Sequence, residues 1–404
     1  MKNKDMEKEH EIKTVVPALR FPEFREMEGW RHNIVNNLTS VITAPKKITS
    51  QEYLNTGYYP IIDQSQNYIC GWTNDESAVI TEASLSQPLI IFGDHTCILK
   101  KVTFPFAQGA DGIKILKTKE CINGFFLYQI LLANPVTQEE YKRHYSILKE
   151  KTIYYPIINS GEQQKIADCL SSLDDLIEAT NRKIEVLKEH KKGLMQRLFP
   201  KEGKNVPELR FPEFQETKGW AKKQIIDLGE VITGNTPSKK EGKYWNGDFA
   251  WITAQDFKGK YINDSILKLT RFGKNKARVI PQNSVLVTCI ASIGLNAINK
   301  IECSTNQQIN TICCNRKYHY EYVYYLITYN VKRLKQLAGQ TAVPIITKKN
   351  FEEFEVYTVE NYDEQQKIAD CLSSLDELIE ATSQKVEILK EHKKGLMQQL
   401  FPKI

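Results

Sequence analysis

The sequence lacks most of the features that announce chemistry. Its nine cysteines include no Cys-x-x-Cys pair, so neither a zinc site nor a disulfide framework is expected. Cys169 and Cys371 read instead as buried reduced thiols of a cytoplasmic protein. The seven histidines show no metal-ligand spacing. No Ser-His-Asp or Cys-His arrangement stands out. Gly234-Asn235-Thr236-Pro237-Ser238 runs on into Lys240 and Glu241, not into the Gly-Lys-Ser/Thr of a phosphate loop. Asn134-Pro135-Val136-Thr137 lacks the second proline and the aromatic of an amino-methyltransferase motif. The most apolar stretch, near residues 284–298, is too short and too polar to span a bilayer. The charged opening MKNKDMEKEHEIK has no apolar segment, which argues against a secretory signal. No catalytic residue, no metal ligand and no membrane partner is expected.

What the chain has is repetition, the first pattern to read in any sequence. Residues 162–200 recur at 364–402 with 33 of 39 positions identical. A shorter repeat opens each half: VPALRFPEFREMEGW at 16–30 and VPELRFPEFQETKGW at 206–220. The order is opening motif, globular part, long helix, given twice. Ile166, Leu170, Leu173, Ile177, Thr180, Ile184, Leu187, Lys191, Leu194 and Leu198 follow alternating 4-3 spacing. Ile368, Leu372, Leu375, Ile379, Thr382, Val386, Leu389, Lys393, Leu396 and Leu400 repeat it. That is a heptad seam, so each helix packs along another, most simply its own copy running antiparallel. Thr180/Thr382 and Lys191/Lys393 would fix register at some cost in stability. Asp363 with Gln366 has capping-box spacing, Gly161 is a tolerable cap in the first copy, and Pro200 and Pro402 stop the helices. Some 38 residues at 1.5 Å give a rod of roughly 55 Å.

The parts between are punctuated by Gly, Pro and Asn, with short β-rich runs such as 88–92 and 284–289. Helical patches at 123–132 and 321–337 occupy matching places. The fold class expected is mixed α+β: two α/β domains joined by two long helices in an antiparallel coiled coil with a pseudo-twofold internal repeat. The expected boundaries are 1–160 (first domain), 161–200 (central helix), 201–205 (linker), 206–361 (second domain) and 362–404 (C-terminal helix).

Charge is unevenly placed. The whole chain carries +6, and residues 237–281 alone hold ten Lys or Arg against four Asp or Glu, again +6. A local basic surface suits a polyanion such as DNA, although a lysine-rich solvated face needs no ligand. Polar loops rich in Asn, Gln, Lys, Arg and aromatics supply candidate DNA contacts. In the first domain these are Lys46, Lys47, Gln64, Ser65, Asn67, His95, Thr96, Gln108, Asp111, Arg143, His144 and Tyr145. In the second they are Asn235, Thr236, Ser238, Lys239, Lys240, Tyr244, Trp245, Thr253, Gln255, Asp256, Arg271, Lys274, Lys276, Ser292, Asn306, Gln307, Gln340 and Lys348. Asn and Gln pair bidentately with adenine, and Arg or Lys with guanine. Turn chemistry alone accounts for any single loop, and a domain core accounts for Tyr244 and Trp245. The signal is in the set.

EQQKIADCLSSLD after a globular part, with a heptad helix ending in Leu-Met-Gln-x-Leu-Phe-Pro, resembles the DNA-specificity subunit of type I restriction–modification systems. The resemblance covers almost the whole chain. GNTPSKKEGKYWNGDFAWITAQDF (234–257), SIGLNAI (292–298) and STNQQIN (304–310) look like one type of target-recognition domain. YYPIIDQSQNYICGW (58–72), PLIIFGDHT (88–96) and FPFAQGADGIKIL (104–116) look like another. It implies that each domain reads one half of a split, asymmetric site on double-stranded DNA. The helices would set the gap and dock two methyltransferase subunits, through Leu170, Leu173, Ile177, Leu187, Leu372, Leu375, Ile379 and Leu389. It further implies that S-adenosylmethionine, ATP and Mg belong to those methyltransferase and to motor-nuclease subunits, with no cofactor on this chain. A self-sufficient DNA-modifying enzyme and a coiled-coil scaffold that binds only protein are the other classes.

Overall fold

The opening motifs meet the long helices through charge. Arg20 lies bidentate on Glu162, with Nε to Oε1 at 2.8 Å and Nη2 to Oε2 at 2.7 Å, and its other donors hold the Met27 and Glu28 carbonyls. Arg210 repeats this on Glu364 at 2.8 Å for both bonds. The computed structural model describes residues 15–110, 112–138, 143–338 and 344–402. Asp111 and Gln340, both named above, lie outside the described residues.

The chain divides into two compact units, Met1–Arg182 with Gln384–Ile404, and Lys183–Ser383. Each therefore holds one globular domain, the opening half of one long helix and the closing half of the other. In the first unit, Thr39–Ile42, Ile113–Thr118, Leu89–Gly93 and Leu99–Val102 form an antiparallel sheet in that order. A mixed sheet of Lys47–Ile48, Phe106–Gly109, Tyr59–Ile62 and Gly71–Thr73 lies beside it in sequence, with Val79–Ile80 paired to Phe106–Gly109. In the second unit the main sheet runs Gly229–Thr233, Ile309–Cys314, Val285–Thr288, Asn296–Asn299, Tyr261–Ile262. A smaller sheet holds Leu267–Leu269, Trp245–Ile252 and Ser304–Thr305. Each domain is closed by its own ends: Arg31–Ile34 pairs Thr152–Tyr155, and Ala221–Gln224 pairs Glu355–Thr358. This returns the chain to where the next long helix starts.

The long helices run Glu162–Leu198 and Tyr362–Leu400. Every seam position of both is buried or half-buried, so the 4-3 pattern marks the packed face. In the first unit Lys393 donates to Asp174 at 2.6 Å, while in the second Lys191 donates to Asp376 at 2.5 Å. In the first unit Leu400 shares a core with Ile166 and Leu170, and in the second Leu198 shares one with Ile368 and Leu372, so together with these bonds the two helix segments of each unit run antiparallel. The caps differ from expectation. Asn361, not Asp363, accepts from the Glu364 N–H, and Asp363 sits inside the first turn. In the first copy the Ser160 hydroxyl accepts from the Glu162 N–H, and Gly161 takes φ 78°, the left-handed turn that glycine permits.

The Leu-Phe-Pro endings explain both repeats. Phe199 packs with Trp220, Tyr322 and Tyr329 at 5.2–5.9 Å between centroids. Phe401 packs with Trp30 and Phe126 at 6.4 and 5.6 Å. Each opening motif's tryptophan is roofed by a helix ending, and Leu209 N–H to Arg197 C=O and Leu19 N–H to Gln399 C=O tie the strands of chain together. Among the described residues no helix is long and apolar enough to cross a membrane.

Candidate nucleic-acid interface

Hydrogen bonds between turns bring several of the candidate loops together. In the first unit, Asp94 organises one cluster. Its carbonyl accepts from the His144 N–H at 2.8 Å, its carboxylate accepts from the Tyr145 N–H at 2.8 Å, and its own N–H reaches Gly112 C=O at 2.7 Å. The Thr96 hydroxyl donates to Gln64 C=O at 3.0 Å, and the His95 N–H reaches the Gln64 side chain. Ser65 N–H and the Cys70 thiol both donate to Asp63 at 2.8 Å, which holds the 63–70 loop in shape. Gln64, Ser65, His95, Thr96 and Tyr145 are half-buried there, and Asn67 and Arg143 are exposed. Lys46 and Lys47 are exposed, with Lys46 paired to Asp75 at 2.6 Å.

Two members of this set point inward. His144 is fully buried with its ring nitrogen 3.1 Å from Asp94 C=O, and Gln108 is buried with its amide on Ala110 C=O. Both shape the loop rather than offer an edge to a base.

In the second unit the hub is Asn235. Its amide donates to Lys276 C=O at 2.8 Å, and its side-chain oxygen accepts from the Arg278 N–H at 2.7 Å. Its own N–H reaches Thr305 C=O, and its carbonyl accepts from the Trp251 indole. Gly234 beside it has no room for a side chain: a Cβ would stand 2.3 Å from the Asn306 carbonyl oxygen. Thr236 donates to Gln307 at 2.6 Å, so the 234–240 and 304–308 loops form one surface. The Trp245 indole donates to Ser238 C=O, which adds the 244–246 turn.

Ser238, Lys239, Lys240, Gln255, Arg271, Lys276 and Gln307 are exposed; Thr236, Tyr244, Trp245, Thr253 and Lys274 are half-buried. Asp256 and Asn306 are buried. Asp256 caps the Thr253 turn and accepts from the Ile266 N–H, and Asn306 bonds Gln308, so both are structural. Ser292 and Lys348 lie on the segments that Ile290 and Ile345 bridge, where the Cys289 N–H reaches Gln308 C=O of the 304–308 loop at 2.7 Å. Lys348 is paired with Glu352.

Lys239, Lys240, Lys258, Arg271 and Lys276 make no ion pair among the described residues, which leaves their charge free for phosphates. The loops also present a residue that sequence reasoning passed over. Phe272 is 67% exposed on the short turn Arg271–Lys274. That turn is held by Thr270, whose N–H reaches Tyr244 C=O and whose hydroxyl donates to Lys243 C=O at 2.6 Å. An exposed phenylalanine held rigidly beside a free arginine suits a nucleic-acid surface better than a water-facing one. Its signal was present as Arg271-Phe272 inside the basic segment, but charge counting gave the aromatic no weight.

The seam leucines lie on the packed face of the helices. Leu170 and Leu372 are fully buried, and Leu173, Ile177, Leu187, Leu375, Ile379 and Leu389 are half-buried along the helix pairs. Beyond Tyr362 at the start of the second helix, the large apolar residues that the helices expose are Leu176 and Leu378, both 42%, and Val186 and Ile388, 69% and 68%.

The model of the type I restriction modification DNA specificity domain matches twice, over residues 27–189 and 217–391. The chain belongs to that family. It is 26% identical to the Type I restriction enzyme MjaVIII specificity subunit of Methanocaldococcus jannaschii over 419 aligned positions, covering 94% of this chain and 95% of that protein. It is 35% identical to the MjaIX specificity subunit of the same organism, over 44% of each. The HindI specificity subunit of Haemophilus influenzae is 31% identical over 40% of this chain and 36% of that protein. The chain thus spans less than half the length of the MjaIX and HindI relatives it matches. The solved S subunit from M. genitalium shares the fold at a TM-score of 0.65 and 16% identity, covering 96% of this chain and all of that one.

Proposed function

We propose that this chain is the non-catalytic specificity subunit of a type I restriction–modification enzyme, each domain reading one half of a bipartite asymmetric DNA site. The observation that carries the reading is the contrast within the chain. The helix copies are near-identical, while the two loop clusters, around Asp94 and around Asn235, are built from different residues on differently ordered sheets. Unlike reading surfaces on like helices suit one asymmetric sequence served by two copies of one partner. Free lysines and Arg271 would supply phosphate affinity, and Thr236, Gln307, Gln255, Asn67 and Arg143 the base choice.

Two methyltransferase subunits would dock on the outward residues Leu176 and Ile388 in the first unit, and Leu378 and Val186 in the second. S-adenosylmethionine, ATP and Mg would be held by those and by motor-nuclease subunits. The test is co-expression with the companion methyltransferase subunit and a genome-wide map of N6-methyladenine. A split motif that disappears when this chain is omitted supports the reading. Methylation indifferent to the chain refutes it.

A further inference from the structure

Each unit contains a three-way joint at equivalent positions. In the second unit, Asp376 of one long helix accepts from Lys191 of the other at 2.5 Å and from Tyr325 of the domain helix Tyr320–Gln336, also at 2.5 Å. In the first, Asp174 accepts from Lys393 at 2.6 Å and from Gln129 of the domain helix Gly124–Ala133 at 2.7 Å. Asp174 and Asp376, like Lys191 and Lys393, are the same positions of the 162–200 repeat. Gln129 and Tyr325 also correspond. Each stands six residues past the residue whose N–H is held by the first glutamine of its long helix, Asn123 on Gln163 and His319 on Gln365.

The joints differ in how far they reach into the domain. In the second unit Lys260, which ends the segment that begins with Thr253 and Gln255, drives its ammonium into the joint. It donates to Ser373 at 2.6 Å, Tyr325 at 3.0 Å and Glu321 at 3.1 Å. Ser373 and Tyr261 both donate to Glu321, at 2.9 and 2.6 Å. The Lys260 carbonyl meanwhile accepts from Ile298 in the main sheet. One continuous network runs to both long helices from Lys260, which the chain places five residues past Gln255. In the first unit the matching Ser171 hydroxyl and the Gln129 side-chain oxygen are buried with no hydrogen-bond partner among the described residues. Lys101 approaches this joint, its ammonium 4.7 Å from the Phe125 ring centre and 5.7 Å from that of Tyr128 on the domain helix, but among the described residues it donates no hydrogen bond to Asp174, Ser171 or Gln129.

Buried charges add little net stability, because desolvation offsets their attraction. They do make any other geometry costly, since turning the domain on the helices would strand several buried polar groups together. Resting on the DNA-reading function proposed above, we infer that the joint at Asp376 is a positioning element that fixes the angle at which the second domain is carried. It thereby makes reading of its half-site strict about the gap. Asp174 forms the more compliant counterpart. One base pair added to a gap moves the half-site by about 3.4 Å and turns it by roughly 34°, which a stiff joint cannot follow.

The experiment uses the full chain with its methyltransferase subunit, on DNA whose gap is varied by single base pairs. Tyr325→Phe removes only the hydroxyl that reaches Asp376, and Lys260→Met removes the arm while keeping its stem. Both are expected to lower discrimination against the wrong gap by about tenfold while both half-site sequences are retained. Gln129→Met is expected to change it less. Equal loss at every gap is what a merely structural role gives, and it overturns the inference.

A donor–acceptor fluorophore pair at Lys276 and Glu189 of the same unit reads the joint without DNA. A wider distance distribution in both second-unit variants supports the inference even if no bipartite methylation is seen with the unaltered chain, an outcome that removes the proposed function alone. An unchanged distribution overturns the inference.

Discussion

Replacing Arg20 by methionine tests what holds the first domain to its helix. The Arg20 and Glu162 side chains are 5% and 0% exposed. The guanidinium makes two bonds to the carboxylate and two more to the Met27 and Glu28 carbonyls. After the change, Glu162 retains the Trp30 indole at 3.3 Å and its own helix end, and the two carbonyls lose a donor. Removing one partner of a buried ion pair costs about 3–5 kcal/mol, because the other charge stays desolvated. In a unit of roughly 200 residues each kcal/mol moves the midpoint by about 2–4 °C, so the expected fall is about 6–20 °C.

The assay is differential scanning calorimetry on the full chain. The second unit, with its own Arg210–Glu364 pair, serves as internal reference. The double change Arg20→Met with Glu162→Leu is expected to recover most of the loss, since apolar groups of similar volume replace a buried pair at little cost. A single variant that falls by less than about 2 °C, or a double variant as unstable as the single, would refute this account of the opening motif.

Two other outcomes follow from the same geometry. Arg271→Ala should weaken DNA binding and make its salt dependence shallower by roughly one charge, whereas Phe272→Ala should weaken binding with the salt slope unchanged. Equal binding by both variants in a salt titration would take this turn out of the interface. Stability should also fall in acid. Burial holds the His319 imidazole below its ordinary 6.5, against the pull of Glu321 and Asp370 and with the push of Lys260 and Lys300. Burial raises the Glu321 carboxyl, but the bonds from Tyr261, Lys260 and Ser373 together hold it below 4.5. Both folded-state values are depressed, so their contribution is complete above pH 6.5 for His319 and above 4.5 for Glu321, and fades as pH falls through the folded values. His319→Gln should flatten the thermal midpoint between pH 7 and 5; an unchanged slope there would remove His319 from the account.

The helices were legible because a heptad seam is a local pattern that tertiary contacts only reinforce. The meaning of the opening motif was not, because Arg20 finds Glu162 across 142 residues and spacing carries no trace of that pair. The loop clusters lie between. Their members could be named from composition, yet burial of His144, Gln108, Asp256 and Asn306 depends on which backbone groups each loop must satisfy. The docking residues named from the seam raise a related point. Leucines at seam spacing are the ones a helix hides, so a partner's surface has to be sought among positions the seam leaves over, such as Val186 and Ile388.

The near-identity of the two helices then acquires a physical cause besides docking. Each copy must start against one domain and end in the other's core, Glu162 on Arg20 but Phe199 on Trp220, Glu364 on Arg210 but Phe401 on Trp30. A change at a helix end is tolerated when both tryptophan pockets have the same form, and that holds the copies alike. Divergence is free where the domain helix supplies its own partner to a fixed aspartate. Gln129 and Tyr325 differ at that point, while Asp174 and Asp376 do not.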